Sequence, residues 1–223
     1  MIPGARFIIL GRQGAGKGTQ CTSLSRHYVV PHISTGDILR AAIAEGTELG
    51  VKAKAVMSAG ELVGDDIMIG IVDERLARPD AQARGYILDG FPRTVGQAEA
   101  LAVLTADKPI DVVIDLEVPR DLVLRRIAAR RVCNVCGHNY SASGHEREPW
   151  ICDFCGGDVV QRADDHPDAV NRRLDLYESQ TTPLIEHYRL RGQLVIVDGV
   201  GPQEEVFARL VATIDARRLR RVR

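Results

Sequence analysis

The chain has 223 residues, 45% of them hydrophobic, and a formal net charge of -1. That length favours one domain with insertions over two full domains, and it can bury a substantial core without metal or disulfides. The balanced charge gives no general argument for a nucleic-acid or membrane partner, and no apolar run approaches the roughly 18 residues of a membrane span.

The start, Met1-Ile2-Pro3-Gly4, runs straight into a strand-like segment and leaves no room for a signal peptide. The expectation is a cytosolic protein. Its five cysteines then point to metal or free thiols rather than a disulfide framework.

Arg6-Phe7-Ile8-Ile9-Leu10 reads as a short buried strand, and Lys17 to about His27 as a helix. Between them lies Gly11-Arg12-Gln13-Gly14-Ala15-Gly16-Lys17-Gly18-Thr19. It follows the phosphate-loop pattern through Lys17, with Gly11 and Gly16 as framing glycines, and the hydroxyl residue Thr19 comes after Gly18. Glycines let consecutive backbone N–H groups turn inward around a phosphate, and the helix N-terminus adds its positive dipole end. Lys17 is expected to reach the β- and γ-phosphates and Thr19 to face Mg²⁺. A glycine-rich turn with a solvated lysine is the alternative, and the flanking strand and helix argue against it.

His32-Ile33-Ser34 is a short extended piece. Ser34 or Thr35 can cap the helix that begins near Asp37 and carries Arg40. Gly46 and Gly50 break the helical pattern from Ile38 to Gly60, with Thr47 to Met57 as a second short helix. Asp65 or Asp66 caps a helix to about Leu76. Gly85-Tyr86-Ile87-Leu88-Asp89 is an apolar run ending in an acid, the form of a buried parallel strand. Asp89 sits where a magnesium-side carboxylate belongs. Gly90 and Arg93 follow at the strand's C-terminal end, where open α/β sheets bind ligands. Arg93 could otherwise be a surface arginine beside Pro92.

Gln97–Leu104 reads as a helix, 112–118 as a strand and Asp121–Arg131 as a helix with Arg125, Arg126, Arg130 and Arg131. Residues 193–198 form the last strand and 202–218 the closing helix. Alternating strands and helices imply a parallel sheet with helices on both faces. The arginines from Arg217 to Arg223 read as a solvated helix end whose cations suit the C-terminal dipole.

Cys133-x-x-Cys136 and Cys152-x-x-Cys155 have the C-x₂-C-x₁₅-C-x₂-C spacing of a zinc site. Four thiolates suit structural Zn²⁺ and leave no open coordination position. Gly137 and Gly156 allow tight turns whose N–H groups can point at sulfur. Buried cysteines or two disulfides are the alternative, and His138 and His145 are possible substitute ligands. Cys21 stands apart as a buried free thiol. Arg147 is the only Arg or Lys between Cys133 and Cys155, which argues against a nucleic-acid-binding ribbon. Arg126, Arg130, Arg131 and Arg162 lie at the module's edges, with Arg172 and Arg173 beyond. Arginines at the hinge of a small module suggest a lid that clamps phosphates.

With these motifs in order, the sequence resembles the adenylate kinases of the long-lid, zinc-bearing type. The resemblance rests on Gly14–Gln20, Ile33–Arg40, Leu88–Arg93, Arg130-Arg131 with the four cysteines, and Gln161–Asp165. It covers nearly the whole chain. It implies an α/β P-loop fold of three layers with a five-stranded parallel sheet. The core would comprise residues 1–33, 64–130 and 164–223, with an AMP-binding insert at 34–63 and a zinc-binding lid at 131–163. It implies MgATP + AMP ⇌ 2 ADP in a cytoplasmic monomer that needs neither nucleic acid nor membrane.

By resemblance, Thr35, Arg40, Val63, Gly90, Arg93 and Gln97 hold AMP. Gly14, Ala15, Gly16, Lys17, Gly18 and Thr19, with Arg126 and Arg130, hold ATP. Arg162 and Arg173 bridge the transferring group and touch AMP, and Asp89 orients Mg²⁺ through water. Gln13 departs from the family, which usually has proline there, and Ala129 stands where some members have glycine. Another acceptor base, GTP as donor, or a zinc-ribbon nucleic-acid-binding ATPase are the competing readings.

Overall fold

The computed structural model describes residues 4–142, 150–162 and 164–221. His145, Arg147, Ala163 and Arg223 therefore lie outside the described residues. The elements in order are β1 (Ala5–Leu10), α1 (Lys17–Tyr28), β2 (His32–Ser34), α2 (Thr35–Glu45), α3 (Glu48–Ser58), α4 (Asp65–Leu76), α5 (Pro79–Arg84), β3 (Gly85–Asp89), α6 (Val95–Leu104), β4 (Val112–Glu117), α7 (Arg120–Ala129), β5 (Arg130–Cys133), β6 (Asn139–Ser141), β7 (Val159–Val160), α8 (Pro167–Leu176), α9 (Thr182–Leu190), β8 (Leu194–Asp198) and α10 (Gln203–Arg221). A π-helical turn, Tyr177–Thr181, joins α8 to α9. No helix among the described residues is long and apolar enough to cross a membrane.

β2, β3, β1, β4 and β8 form one parallel sheet in that order. Its three inner strands, β3, β1 and β4, are buried on both faces, so they read as continuous apolar runs. Their side chains nevertheless divide by the two-residue period of a strand. Phe7, Ile9, Ile87, Ile114 and Leu116 face one core with Leu24, Val123, Leu174 and Leu210. Ile8, Leu10, Leu88 and Val113 face the other with Leu39, Val72, Leu101 and Leu184. The register places Ile9 and Ser34 beside Asp89, and Leu10 beside Asp115. The strands' C-terminal ends are thus level, and the glycine loop after β1 opens over them.

Ser34, of the two candidates, caps α2: its Oγ accepts from Asp37 N–H at 3.3 Å. Gly50 does not break a helix; it lies inside α3, packed against α2. The Asp121–Arg131 helix stops at Ala129. Arg130 turns extended and begins β5, which pairs antiparallel with β6 and β7 in a small separate sheet. That sheet's apolar cluster is minimal: Cys133, Cys152 and Val159, with Tyr140 and Trp150 against them. The C-terminal arginines are not uniformly solvated. Arg218 is 9% exposed, with its guanidinium over the rings of Phe7 and Tyr28 at 5.9 and 5.8 Å, a cation–π arrangement.

Candidate active site

A cleft of ≈ 620 Å³ opens at the C-terminal edge of the sheet. It is lined by Gly14, Ala15, Gly16, Lys17, Gly18 and Thr19 from the loop and α1. Thr35, Arg40, Val63, Asp89, Gly90, Arg93 and Gln97 line it from the β2–α3 side and β3. Arg126 of α7, Arg130 of β5, Arg162 after β7 and Arg173 of α8 face it from the other side. The structure therefore brings the sequence's candidate nucleotide contacts into one space and leaves the four cysteines outside it.

The loop itself is built for an anion. Gly16 is the residue before α1, at φ 101°, and no side chain caps that helix. Nor does its first turn hold an acid. The helix N-terminus is left with free N–H groups and a positive dipole end, which favour a phosphate. Lys17 Nζ donates to the loop carbonyls of Gly11 and Arg12 at 2.7 and 3.0 Å. Burial lowers its pKa most; Asp89 opposes this, and Arg93 and Arg130 add to it. Arg126 Nη1 and Nη2 donate to Ala15 O and Gly199 O at 3.0 and 3.2 Å, bracing the loop.

Asp89 ends β3 almost buried, at 9% exposure. Burial pushes its pKa up. The contact from His32 Nε2 at 3.3 Å and the charges of Lys17, His32 and Arg93 outweigh that, so its carboxyl lies below the usual range. Gly90 follows at φ 82°, and a Cβ there would sit 2.9 Å from Thr35 Oγ1. Only glycine fits that approach. Arg93 Nε donates to Gly90 O at 2.9 Å, which aims the guanidinium into the cleft. Burial lowers the Arg93 pKa, and Arg173 and Arg40 lower it further against Asp89.

On the insert side Arg40 pairs with Asp37. In α8 Arg173 bonds Asp164 Oδ2 at 2.7 Å and Met57 O at 2.9 Å. Arg162 Nη2 donates to Asn139 Oδ1 at 2.8 Å. Burial, then Arg130 and Arg40, push the Arg162 pKa down to about 10. Arg93 and Arg162, whose pKa values are lowered by burial and by neighbouring guanidinium groups, lie in a site suited to a polyanion.

Three features of the site were not read from the sequence. Asp65 caps nothing; Gly64 precedes α4 without a side-chain cap. Asp65 instead accepts from Gln97 Nε2 at 2.6 Å and Thr94 Oγ1 at 2.8 Å, while Gln97 Oε1 accepts from Arg93 N–H at 2.8 Å. The Gln97 amide is largely engaged within the protein. Gln13, noticed only as a departure, donates through Nε2 to Asp165 Oδ1 at 3.0 Å. Tyr140 Oη donates to Cys152 Sγ at 3.2 Å.

The four cysteine sulfurs lie within 4.8 Å of one another, with Cys133–Cys155 at 3.4 Å and Cys136–Cys152 at 3.6 Å. A tetrahedron with Zn–S bonds of 2.3 Å has edges of about 3.8 Å, so the donor set fits zinc. N–H groups do point at sulfur, but from Val135 and Cys136, both at 3.4 Å to Cys133 Sγ. Gly137 and Gly156 N–H instead donate to the carbonyls of Cys133 and Cys152. Burial raises the Cys152 pKa, but the Tyr140 hydroxyl and the Phe154 and Cys155 N–H groups more than offset it, and it falls to about 6. Cys21 is buried and free, near His32 and Asp89.

A glycine loop at the C-terminal edge of a parallel sheet, facing Arg40, Arg93, Arg126, Arg130, Arg162 and Arg173, defines a P-loop phosphotransferase for nucleotides. The adenylate kinase family model matches residues 9–193. An adenylate kinase of Methanosarcina barkeri is 49% identical over 211 residues, covering 93% of this chain and 97% of the relative. One of Moorella thermoacetica is 50% identical over 197 residues, covering 87% and 90%. One of Streptomyces griseus is 46% identical over 215 residues, covering 95% and 98%. The chain belongs to the adenylate kinase family.

Proposed function

We infer that the protein transfers the γ-phosphoryl group of MgATP to AMP, giving two ADP, as a cytoplasmic monomer. The observation that carries this reading is the convergence of Lys17, Arg40, Arg93, Arg130, Arg162 and Arg173 on one cleft beside the phosphate loop. Two nucleotides placed end to end carry phosphates that such a cluster can bind and neutralise. Phosphoryl transfer needs positioning and charge neutralisation more than a base. The acceptor phosphate is already anionic, so no histidine or thiolate has to remove a proton.

In this reading residues 34–63 form the AMP-binding insert and 131–163 the lid, hinged on the core of 1–33, 64–130 and 164–223. Gly14–Thr19, Arg126 and Arg130 hold the ATP phosphates. Thr35, Arg40, Val63, Gly90, Arg93 and Gln97 hold AMP. Arg162 and Arg173 span the transferring group, and Asp89 accepts from a water on the Mg²⁺ that accompanies ATP. Closing the lid excludes water that would otherwise hydrolyse ATP. Cys133, Cys136, Cys152 and Cys155 hold Zn²⁺, which closes the module's chain on itself and takes no part in the reaction.

A coupled ADP assay with ATP and each of AMP, UMP, CMP and GMP tests the acceptor. Lys17→Met should cut kcat by about 10²-fold or more with the fold intact, and Arg93→Ala should act on AMP use. An Arg93→Ala variant altered only in its KM for ATP would overturn the assignment of that arginine.

A further inference from the structure

Gln13 lies in the loop between β1 and α1, and Asp165 lies just before α8, 152 positions on. Their side chains meet at 3.0 Å, Gln13 Nε2 donating to Asp165 Oδ1. The Asp165 side chain is fully buried. Its other partner is Arg130, whose Nε donates to Oδ2 at 2.7 Å and whose Nη2 reaches Oδ1. Arg130 opens β5, where the chain enters the lid sheet, and Asp165 stands where the chain leaves it for α8. One carboxylate therefore joins both strands of the hinge, and Gln13 ties that carboxylate to the phosphate loop.

Chemistry fixes the direction of the Gln13 amide. Turned over, it would set its oxygen against the Asp165 carboxylate, two acceptors with no proton between them. Gln13 Oε1 is buried without a partner among the described residues. Among the described residues, the hydrogen bond to Asp165 is thus the one that orients this side chain. Proline, the residue the family usually has at this place, has no donor to offer.

We propose that Gln13 is a positioning residue for the phosphoryl transfer, acting through Asp165 to hold Arg130 over the phosphate loop. The inference rests on the reading of Arg130 as a contact of the ATP phosphates. A guanidinium held by a carboxylate on one edge presents its remaining N–H group in a set direction. Fixing the carboxylate from the loop side makes that direction relative to the loop, where the phosphates bind, rather than to the mobile lid. Placement of this kind acts on kcat more than on ground-state binding.

The test uses the full chain and steady-state kinetics with ATP and AMP varied separately. Gln13→Leu keeps the volume and removes the donor. It should lower kcat about fivefold, the equivalent of one net hydrogen bond, with the KM for AMP unchanged. Gln13→Pro should lose kcat equally, and it guards against a leucine-specific packing defect; melting temperatures on the same samples report on folding. Arg130→Lys cannot make the two-pronged bond to Asp165. It should fall further, and adding Gln13→Leu to it should change nothing more. If Gln13→Leu and Gln13→Pro keep the parent kcat while Arg130→Lys loses it, the positioning role is wrong and the Arg130 assignment stands. If Gln13→Leu costs the same factor with and without Arg130→Lys, Gln13 serves the loop alone and the proposal fails. If Arg130→Lys changes neither kcat nor the KM for ATP, the reading of Arg130 itself is wrong.

Discussion

Gln97 Nε2 donates to Asp65 Oδ1 at 2.6 Å, and the other end of the same amide accepts from the backbone N–H of Arg93. Asp65 begins α4, and Gln97 lies in α6. This link stands the two helices at a fixed spacing and pins the backbone from which Arg93 projects.

Asp65→Ala should therefore loosen Arg93 without touching a nucleotide. It leaves a buried amide donor and the Thr94 hydroxyl without their shared acceptor, at a cost of about 1–3 kcal/mol in stability. The expected kinetic result is a higher KM for AMP with the KM for ATP unchanged. Urea denaturation with kinetics on the same variant checks both, and an unchanged KM for AMP would sever the link drawn from Asp65 to Arg93.

A second expectation concerns α2 and α3. A Cβ on Gly50 would lie 2.0 Å from the Ala42 carbonyl oxygen and 2.6 Å from Ile43 N. Both obstacles are backbone, so the helices must separate. Gly50→Ala should cost about 1–3 kcal/mol, confined to this insert. Hydrogen exchange should quicken in α2 and α3 and stay as it was in β1, β3 and β4. Equal protection throughout would mean that the two helices do not need this approach.

The depressed pKa of Asp89 sets a pH dependence. Its folded value lies below 3.8, the ordinary value of the free side chain. The stability it contributes is fully present above that value and is lost as pH falls through the lower folded one. Wild type should therefore lose stability more steeply than Asp89→Asn below pH 3.8, while both curves run parallel above it. Urea midpoints across the acid range measure this. Parallel curves throughout would mean that His32, Lys17 and Arg93 do not hold the carboxylate down.

If residues 131–163 form a lid, the apolar cluster of its described residues is too small to order it unaided, since small modules need a staple. Purified protein should carry about one zinc per chain. Cys152→Ser with Cys155→Ser should lose the metal and lower the melting temperature of the lid markedly. Turnover at low temperature should largely survive, because four thiolates leave zinc no open position. Metal content, melts and turnover on one set of samples decide it. Loss of turnover with a lid still protected from exchange would give the metal a catalytic part.

Local pattern makes several elements of this protein legible in its sequence. Apolar runs such as 85–89 and 112–117 mark buried strands because both of their faces must leave water. The glycine loop announces itself because backbone wrapping of a phosphate tolerates few other residues. The doubled C-x-x-C is legible because four ligands for one ion need short, rigid spacings. Arg130 was misplaced within a helix because a run of helix formers outlasts the helix; pairing with Ser141 in β6 ends it, and that partner is not local.

The roles of Asp65, Gln13 and Arg218 come instead from contacts between residues far apart in the chain. Asp65 looks like a helix cap until α6 is laid beside α4. Gln13 looks like a missing proline until Asp165 is folded against it. Arg218 looks like a solvated end charge until the rings of Phe7 and Tyr28 come beneath it. In each case a polar side chain has a plausible local partner in water, and burial beside a residue far along the chain selects a different one. Hydrogen bonds and cation–π contacts of this kind have no period, so no spacing in the sequence reports them.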